Sequence, residues 1–236
     1  MRIVNVQDFE AIGDGVADDT AAVQRAIDAV PRRGAMTVVL FPRGWYRLSG
    51  TLVIRSGQRV VLRGEAAAEG PPTLYMSDPN LDFIDASTWL TDLITVDHLR
   101  FQGAGPGPGR DGHAIVLGHA DSASFDSRIT RCHFVGIPGC GIRARYLDGY
   151  HIQDNLFERS GHGIFVEEGR NTVICNNRFQ GNWRAGIYLS VATHFQIQGN
   201  HFDSDEKHSG TAILTSYATT DIEVRLNCFK GLRTCA

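Results

Sequence analysis

"HIQDNLFERSGHGIFVEEGRNTVICNNRFQGNWRAGIYLSVATHFQIQGNHF" runs from His151 to Phe202 and carries the same phrase three times: Asn155-x-Phe157, Asn177-x-Phe179 and Asn200-x-Phe202. Three residues before each Asn stands Ile152, Ile174 or Ile197. Working outward, Phe134 and Phe229 extend the series, so that the phenylalanines recur every 23, 22, 23 and 27 residues, and Val224 and Asn227 accompany the last. A second column reads Ile115, Ile142, Ile164, Ile187 and Ile213, with Gly141, Gly163 or Gly186 directly before the middle three. A period in this range means stacked supersecondary units. The apolar positions alternate, as in Ile142/Ala144, Ile164/Val166 and Ile187/Leu189, which is the period of a strand. Short strands separated by Gly and Asn fit one coil per repeat of a parallel β-helix. Asn is expected at a tight corner because it tolerates left-handed backbone and bonds its own main chain. Stacked identical Asn side chains can also bond one another along the axis. The Leu pattern of leucine-rich repeats is missing.

The region from Ala66 to Gly112 is less regular, but "PPTLYM", "LDFIDAS" and "DLITVDHLRF" read as strands of earlier coils. "GAGPGPGRDG" (Gly103–Gly112) reads as a flexible loop able to serve as a lid, and "DSDEKHSG" (Asp203–Gly210) as a second irregular loop. No domain boundary is evident. The expectation is a single domain over 1–236, all-β apart from a short N-terminal helix, with a cap over 1–35 and coils over 36–236. The helix is expected over about 19–30, because Val23, Ala26, Ile27 and Val30 share one helical face and Pro31 and Gly34 follow. Before it, Asp14, Asp18 and Asp19 sit in a Gly-bearing loop. The calcium-loop and phosphate-loop patterns both fail there, so Asp18 or Asp19 is expected to cap the helix N-terminus. No metal or cofactor is expected; calcium is possible but not indicated by these residues.

Composition bounds the rest. Of 236 residues, 42% are hydrophobic and 21% charged, an ordinary globular mixture with a net charge of −3. That charge gives no electrostatic case for nucleic acid, and no apolar run reaches membrane-spanning length. Cys132, Cys140, Cys175, Cys228 and Cys235 lack zinc-type spacing and read as reduced, mostly buried thiols. Met1 leads straight into "RIVNV" without a signal peptide, which points to the cytoplasm; a secreted chain freed of its leader would read the same.

"VNVQDFEAIGDGVADDTAAVQRAIDA", then "VVLFPRGWYRLSGTLVI", then "VVLRGE" resemble the N-terminal signature of the pectate-lyase-like right-handed β-helix superfamily. The resemblance covers about the first 65 residues, with Glu10 where the family usually has Gly. It implies a right-handed solenoid whose N-terminal end is closed by the short helix. It also implies a carbohydrate cleft along one sheet.

In such a solenoid, equivalent residues of adjacent coils lie about 4.8 Å apart. One outward column then reads Asp85, Val116, Arg143, Phe165, Tyr188, Leu214, and a second reads Ser87, Gly118, Arg145, Glu167, Ser190, Ser216. Two residues before each core Ile or its equivalent come Asp82, His113, Cys140, His162, Ala185 and Thr211. The candidate catalytic residues are Arg143, His162, Glu167 and Tyr188. The candidate substrate-binding residues are Asp85, His113, Arg145 and Phe165, with His113 and Asp85 as outer contributors. Each has a structural alternative: Arg145 with Glu167 an exposed cross-strand ion pair, Phe165 with Tyr188 surface packing or a sugar platform, the histidines core residues.

"GHGI" (Gly161–Ile164) resembles a short motif of polygalacturonase-type hydrolases, but the adjacent-aspartate motif of those enzymes is absent from these strands. A glycosidase needs two carboxyl groups about 5–9.5 Å apart, and Glu167 and Asp85 would lie about 14 Å apart across three coils. A lyase needs a cation for the sugar carboxylate and a base for the adjacent C–H, which Arg143 or Arg145 and His162 or Tyr188 supply. The inventory favours a lyase over a hydrolase acting on an acidic sugar or polysaccharide; epimerisation and dehydration use the same parts. The alternatives are an intracellular isomerase, dehydratase or cyclase on a small substrate, and a phage tail-spike-like binding or structural protein. After Phe229 only "KGLRTCA" remains, so that end is expected to be covered by a partner subunit, as in a homo-oligomer, or by further residues.

Overall fold

The computed structural model describes residues 2–87, 93–118, 124–204 and 210–231. Cys235 and most of the Asp203–Gly210 loop lie outside them. The chain winds as a right-handed parallel β-helix of about 8 turns. Its strands form three sheets of 11, 9 and 7 strands, and neighbouring named strands pair in parallel. The repeats set the register: Ile115 pairs with Ile142, Ile142 with Ile164, Ile164 with Ile187 and Ile187 with Ile213. Ile142, Ile164 and Ile187 are fully buried. Ile213, in the last described coil, is only half-buried and packs against the core from its edge.

Phenylalanine forms the spine of the core. Phe101, Phe134, Phe157, Phe179, Phe202 and Phe229 stack with ring centres 4.7–5.2 Å apart and planes within 9° of parallel. The inter-strand spacing of about 4.8 Å is what allows this stacking. The glycines before the isoleucines make room for it: a Cβ on Gly163 would lie 2.6 Å from the Phe179 ring.

The asparagines form a buried ladder, by a different route from the one expected. The left-handed residue at the corner is the one before each Asn: Asp154, Asn176, Gly199 and Leu226. The ladder asparagine itself turns inward. Asn177 Oδ1 accepts from the backbone N–H and the Nδ2 of Asn155, while its own Nδ2 donates to Ile152 O and to Asn200 Oδ1. Cys132 occupies the preceding rung, and its N–H donates to Asn155 Oδ1.

The N-terminal 35 residues do more than cap. Arg2–Asn5 pairs with Thr37–Phe41, and Asp14–Asp18 pairs with Trp45–Leu48, so the cap contributes strands to the first coil. The helix spans Thr20–Asp28, shorter than the sequence suggests, and buries Ala22, Val23, Ala26 and Ile27. Asp19 is its N-cap residue but makes no capping bond; its carboxylate accepts from the N–H groups of Ile12 and Gly13. Asp18 accepts from the N–H and hydroxyl of Thr20, and Asp14 from the N–H groups of Val16 and Ala17. The acidic loop is thus absorbed in holding its own backbone. Glu10 adopts φ 72°, the left-handed region that explains why glycine is usual there.

Cys132 and Cys140 are buried as expected, and burial pushes both thiols up to about 12. Cys175 is partly exposed and Cys228 exposed, because the latter lies in the terminal coil. Val224, Leu226 and Phe229 in that coil are also exposed. Among the described residues, no helix is long and apolar enough to cross a membrane.

Candidate active site

The seven-stranded sheet carries the mapped columns. Along its outer face Asp85 pairs with Val116, Val116 with Arg143, Arg143 with Phe165, Phe165 with Tyr188 and Tyr188 with Leu214. Successive side chains on a strand point to opposite faces, so the burial of Ile142 and Ile164 sends Arg143 and Phe165 outward.

His113 enters from the edge of this sheet and is 95% buried, with a relative exposure of 5%. Its ring lies so close to the next coil that a Cβ on Gly139 would come within 2.4 Å of Nδ1. That approach lets Nδ1 accept the backbone N–H of Cys140 at 2.9 Å. Nε2 lies 3.2 Å from Arg143 Nη1. Burial first, then the Arg143 charge, pushes the His113 imidazole down to about 4, so it is neutral near pH 7. His113, expected as an outer contributor, is in direct contact with Arg143.

Arg143 and Arg145 flank Glu167 loosely, at 3.9 and 3.8 Å, and Arg145 stands 3.9 Å from Glu168. These distances exceed a hydrogen bond, and all four side chains are 30–42% exposed. The expected Arg145–Glu167 pair is present as such a long, open contact. Both guanidinium groups therefore remain available to an anion.

His162 lies on the adjacent strand, one step from Cys140. Burial and then the charge of Arg184 push it down to about 4. Its Nδ1 is buried without a hydrogen-bond partner. The rings of Phe165 and Tyr188 lie 5.8 and 5.7 Å from it. Those two rings stack on each other at 4.7 Å, 8° from parallel, so their facing surfaces are covered and a sugar above the sheet would meet ring edges. The Tyr188 hydroxyl is 3.0 Å from Ser216 Oγ. Asp85 stands two strands from Arg143 and accepts from the N–H and hydroxyl of Ser87.

The structure adds residues that the sequence reading did not assign. Asp82 accepts the His113 N–H at 2.7 Å, and burial raises its carboxyl above the ordinary range. It stands in the same column as His113 and His162, which is the signal that could have found it. Asp111 lies 4.0 Å from Arg184. It belongs to the Gly103–Gly112 segment, which is pinned rather than free: Gly103, Gly105 and Gly112 donate to Val135, Gly136 and Pro79 carbonyls. Pinning at three points disfavours the lid motion expected for this loop.

A groove of about 640 Å³ lies elsewhere, on the eleven-stranded sheet, among Arg63, Asp97, Arg128, Arg131 and His151. Its Asp97 carboxylate is already matched. Arg131 binds Asp97 in bidentate fashion at 2.7–2.9 Å, Thr130 Oγ1 donates to the same carboxylate, and Arg63 approaches it at 3.3 Å. Burial raises the Asp97 pKa, and the hydrogen bonds from Arg131 and Thr130 more than offset this, so the group stays ionised. Asp97 is thus fully engaged, while Arg63 Nε stays buried without a hydrogen-bond partner; what sets the seven-stranded sheet apart is that a phenol and a second histidine stand near its cations.

Comparison with known proteins agrees with this architecture. Mannuronan C5-epimerase AlgE1 of Azotobacter vinelandii is 51% identical over an alignment of 238 positions, covering 80% of this chain and 16% of the relative. Mannuronan C5-epimerase AlgE5 of the same organism is 63% identical over 238 positions, covering 80% of this chain and 23% of the relative. The chain thus spans less than a quarter of the length of these relatives. The solved A-module of Azotobacter vinelandii mannuronan C-5 epimerase AlgE6 superposes with a TM-score of 0.64 at 21% identity, over 89% of this chain and 62% of that one, a likeness of fold. The family model described as rhamnogalacturonase A/epimerase, pectate lyase-like, matches residues 3–225, nearly the whole chain. On that match the chain belongs to the rhamnogalacturonase A/epimerase, pectate lyase-like family.

Proposed function

We propose that this chain acts on an acidic polysaccharide by removing the proton at C5 of a uronate residue, with epimerisation as the outcome and β-elimination as its close variant. The observation that carries the reading is the row Arg143, Glu167, Arg145 on one open sheet face, with Tyr188 on the same face and the buried His162 ring 5.7 Å from the Tyr188 ring. A proton next to a carboxylate becomes removable only if the negative charge building on that carboxylate is stabilised. Arg143 and Arg145 offer positive charge held off Glu167 and Glu168, their close counter-ions among the described residues, by 3.8 Å or more. His162, held neutral at pH 7 by burial and the Arg184 charge, stands near the Tyr188 phenol, and these two side chains are the candidate proton carriers.

Bond accounting is simple. The C5–H electron pair moves into the carboxylate system as the base takes the proton. Reprotonation from the opposite face gives the C5 epimer; loss of the O4 substituent instead gives an unsaturated sugar. The relatives' activity on mannuronan supports the first outcome. Side chains 36–42% exposed suit a polymer lying across the sheet better than a small molecule sealed in a pocket.

A hydrolase reading has one observation in its favour. Asp82, raised by burial and influenced by Asp85, resembles a general acid near a second carboxylate. The products discriminate the two. We expect Arg143→Gln and Tyr188→Phe each to lower turnover of mannuronan by about 10²- to 10⁴-fold while the circular dichroism spectrum is unchanged. Turnover within twofold of the parent in both folded variants would place the chemistry elsewhere.

A further inference from the structure

The contact between His113 and Arg143 has a proton problem. The Cys140 N–H donates to His113 Nδ1 at 2.9 Å, so that nitrogen carries no proton. A neutral imidazole must then be protonated at Nε2, and an imidazolium cannot accept at Nδ1 at all. Nε2–H faces Arg143 Nη1 at 3.2 Å, and a guanidinium only donates. Two donors therefore converge with no acceptor between them, and one of them belongs to a ring that is 5% exposed. An orphaned donor buried this deeply calls for a partner.

The neighbouring acids do not supply it. Asp82 accepts the His113 backbone N–H, Asp85 accepts from Ser87 and Asp111 stands toward Arg184, and none of the three is hydrogen-bonded to Nε2, whose side-chain contact is Arg143. Glu167 lies 3.9 Å from Nη2 of Arg143, a different nitrogen from the one that faces His113. Gly139 is what holds the arrangement, since any side chain there would drive the ring off the Cys140 N–H.

We infer that His113 Nε2–H and the Arg143 guanidinium form a two-donor seat for one carboxylate group of a uronate chain. The seat deepens the reading of this sheet as a uronate site and rests on it for the identity of the ligand. In it His113 is a positioning and binding group, fixed in one tautomer by the Cys140 N–H. It is not the base. A carboxylate spanning the two donors replaces their mutual repulsion with two hydrogen bonds, one of them charge-assisted. A neutral sugar hydroxyl can accept from both donors but brings no charge to the guanidinium, so it is held far more weakly there.

The tautomer is directly measurable. Long-range proton–nitrogen NMR correlation on the uniformly ¹⁵N-labelled full chain at pH 7, with His113 assigned through His113→Gln, should find Nε2 protonated and Nδ1 bare. The opposite tautomer would overturn the seat. Titration then uses three probes: sodium acetate, mannuronan oligomers, and neutral mannan oligomers of equal length. Acetate and the uronate chain should shift the His113 signals, and the neutral chain should leave them in place. Arg143→Gln should weaken uronate binding about 10- to 100-fold and keep the tautomer. Silence toward both carboxylates, or an equal response to the neutral chain, refutes the seat. If the seat responds and no C5 exchange is ever detected, the seat stands and the carbon-acid reading falls. If exchange occurs with His113 silent, the reading stands and the seat falls.

Discussion

His113 and His162 are two histidines that folding holds neutral, and this makes stability depend on acid. Each is pushed from 6.5 down to about 4, chiefly by burial. Below about pH 6.5 the unfolded chain binds protons that the folded chain refuses, so stability falls as pH drops toward 4 and levels off beneath it. The two groups together bring a loss of several kcal/mol, roughly 3 kcal/mol each. Urea midpoints measured between pH 7.5 and 4.5 should decline steadily below pH 6.5, and a flat profile to pH 5 would contradict the burial. At this scale the sequence was only partly legible. The columns place Arg143 and Tyr188 on one outward face, and His113 and His162 at the strand starts beside them, because the repeat fixes which strand follows which. They do not reveal that His113 touches Arg143, because that contact depends on how closely the coil of Gly139 approaches the ring. Nor do they reveal that the rings of Phe165 and Tyr188 face each other.

At the scale of the element, the ladder and the phenylalanine stack carry the coils. Removing the Asn177 side chain would leave the Asn155 N–H and the Ile152 carbonyl without partners inside the core. Asn177→Ala should cost about 2–4 kcal/mol, read as a lower urea midpoint with an unchanged slope. The Phe stack makes a graded counterpart. Phe157→Ala, at a fully buried ring between two stacked neighbours, should cost about 3–5 kcal/mol. Phe229→Ala, at a half-exposed ring with one stacked neighbour, should cost about 1 kcal/mol or less. Equal costs at the two positions would mean that the stack is not the source of the stability. These elements were legible because stacking forces identical residues onto identical positions. The Asn-x-Phe phrase is its visible trace. The corner geometry was not, since the left-handed residue is a different type in each coil: Asp154, Asn176, Gly199, Leu226.

Across the whole molecule, the parallel stack turns a one-dimensional repeat into a surface, and its two charged faces differ in what stands beside their arginines. On the eleven-stranded sheet Asp97 is satisfied by Arg131 and Thr130. On the seven-stranded sheet Arg143, Arg145 and His113 are left with donors to spare. With His162 and Tyr188 near those donors, the second face holds the fuller set of groups for the proposed chemistry. The pairing of Asp97 was invisible in the sequence, where both faces show arginine and aspartate. The most direct test follows mannuronan in D₂O by proton NMR in the presence of the full chain. The account predicts that the H5 signal is lost as deuterium enters at C5, with the C5 epimer or an unsaturated chain end appearing, and that Arg143→Gln suppresses the exchange. Chain cleavage to new reducing ends with H5 retained, or binding of the polymer with no exchange at all, would contradict it.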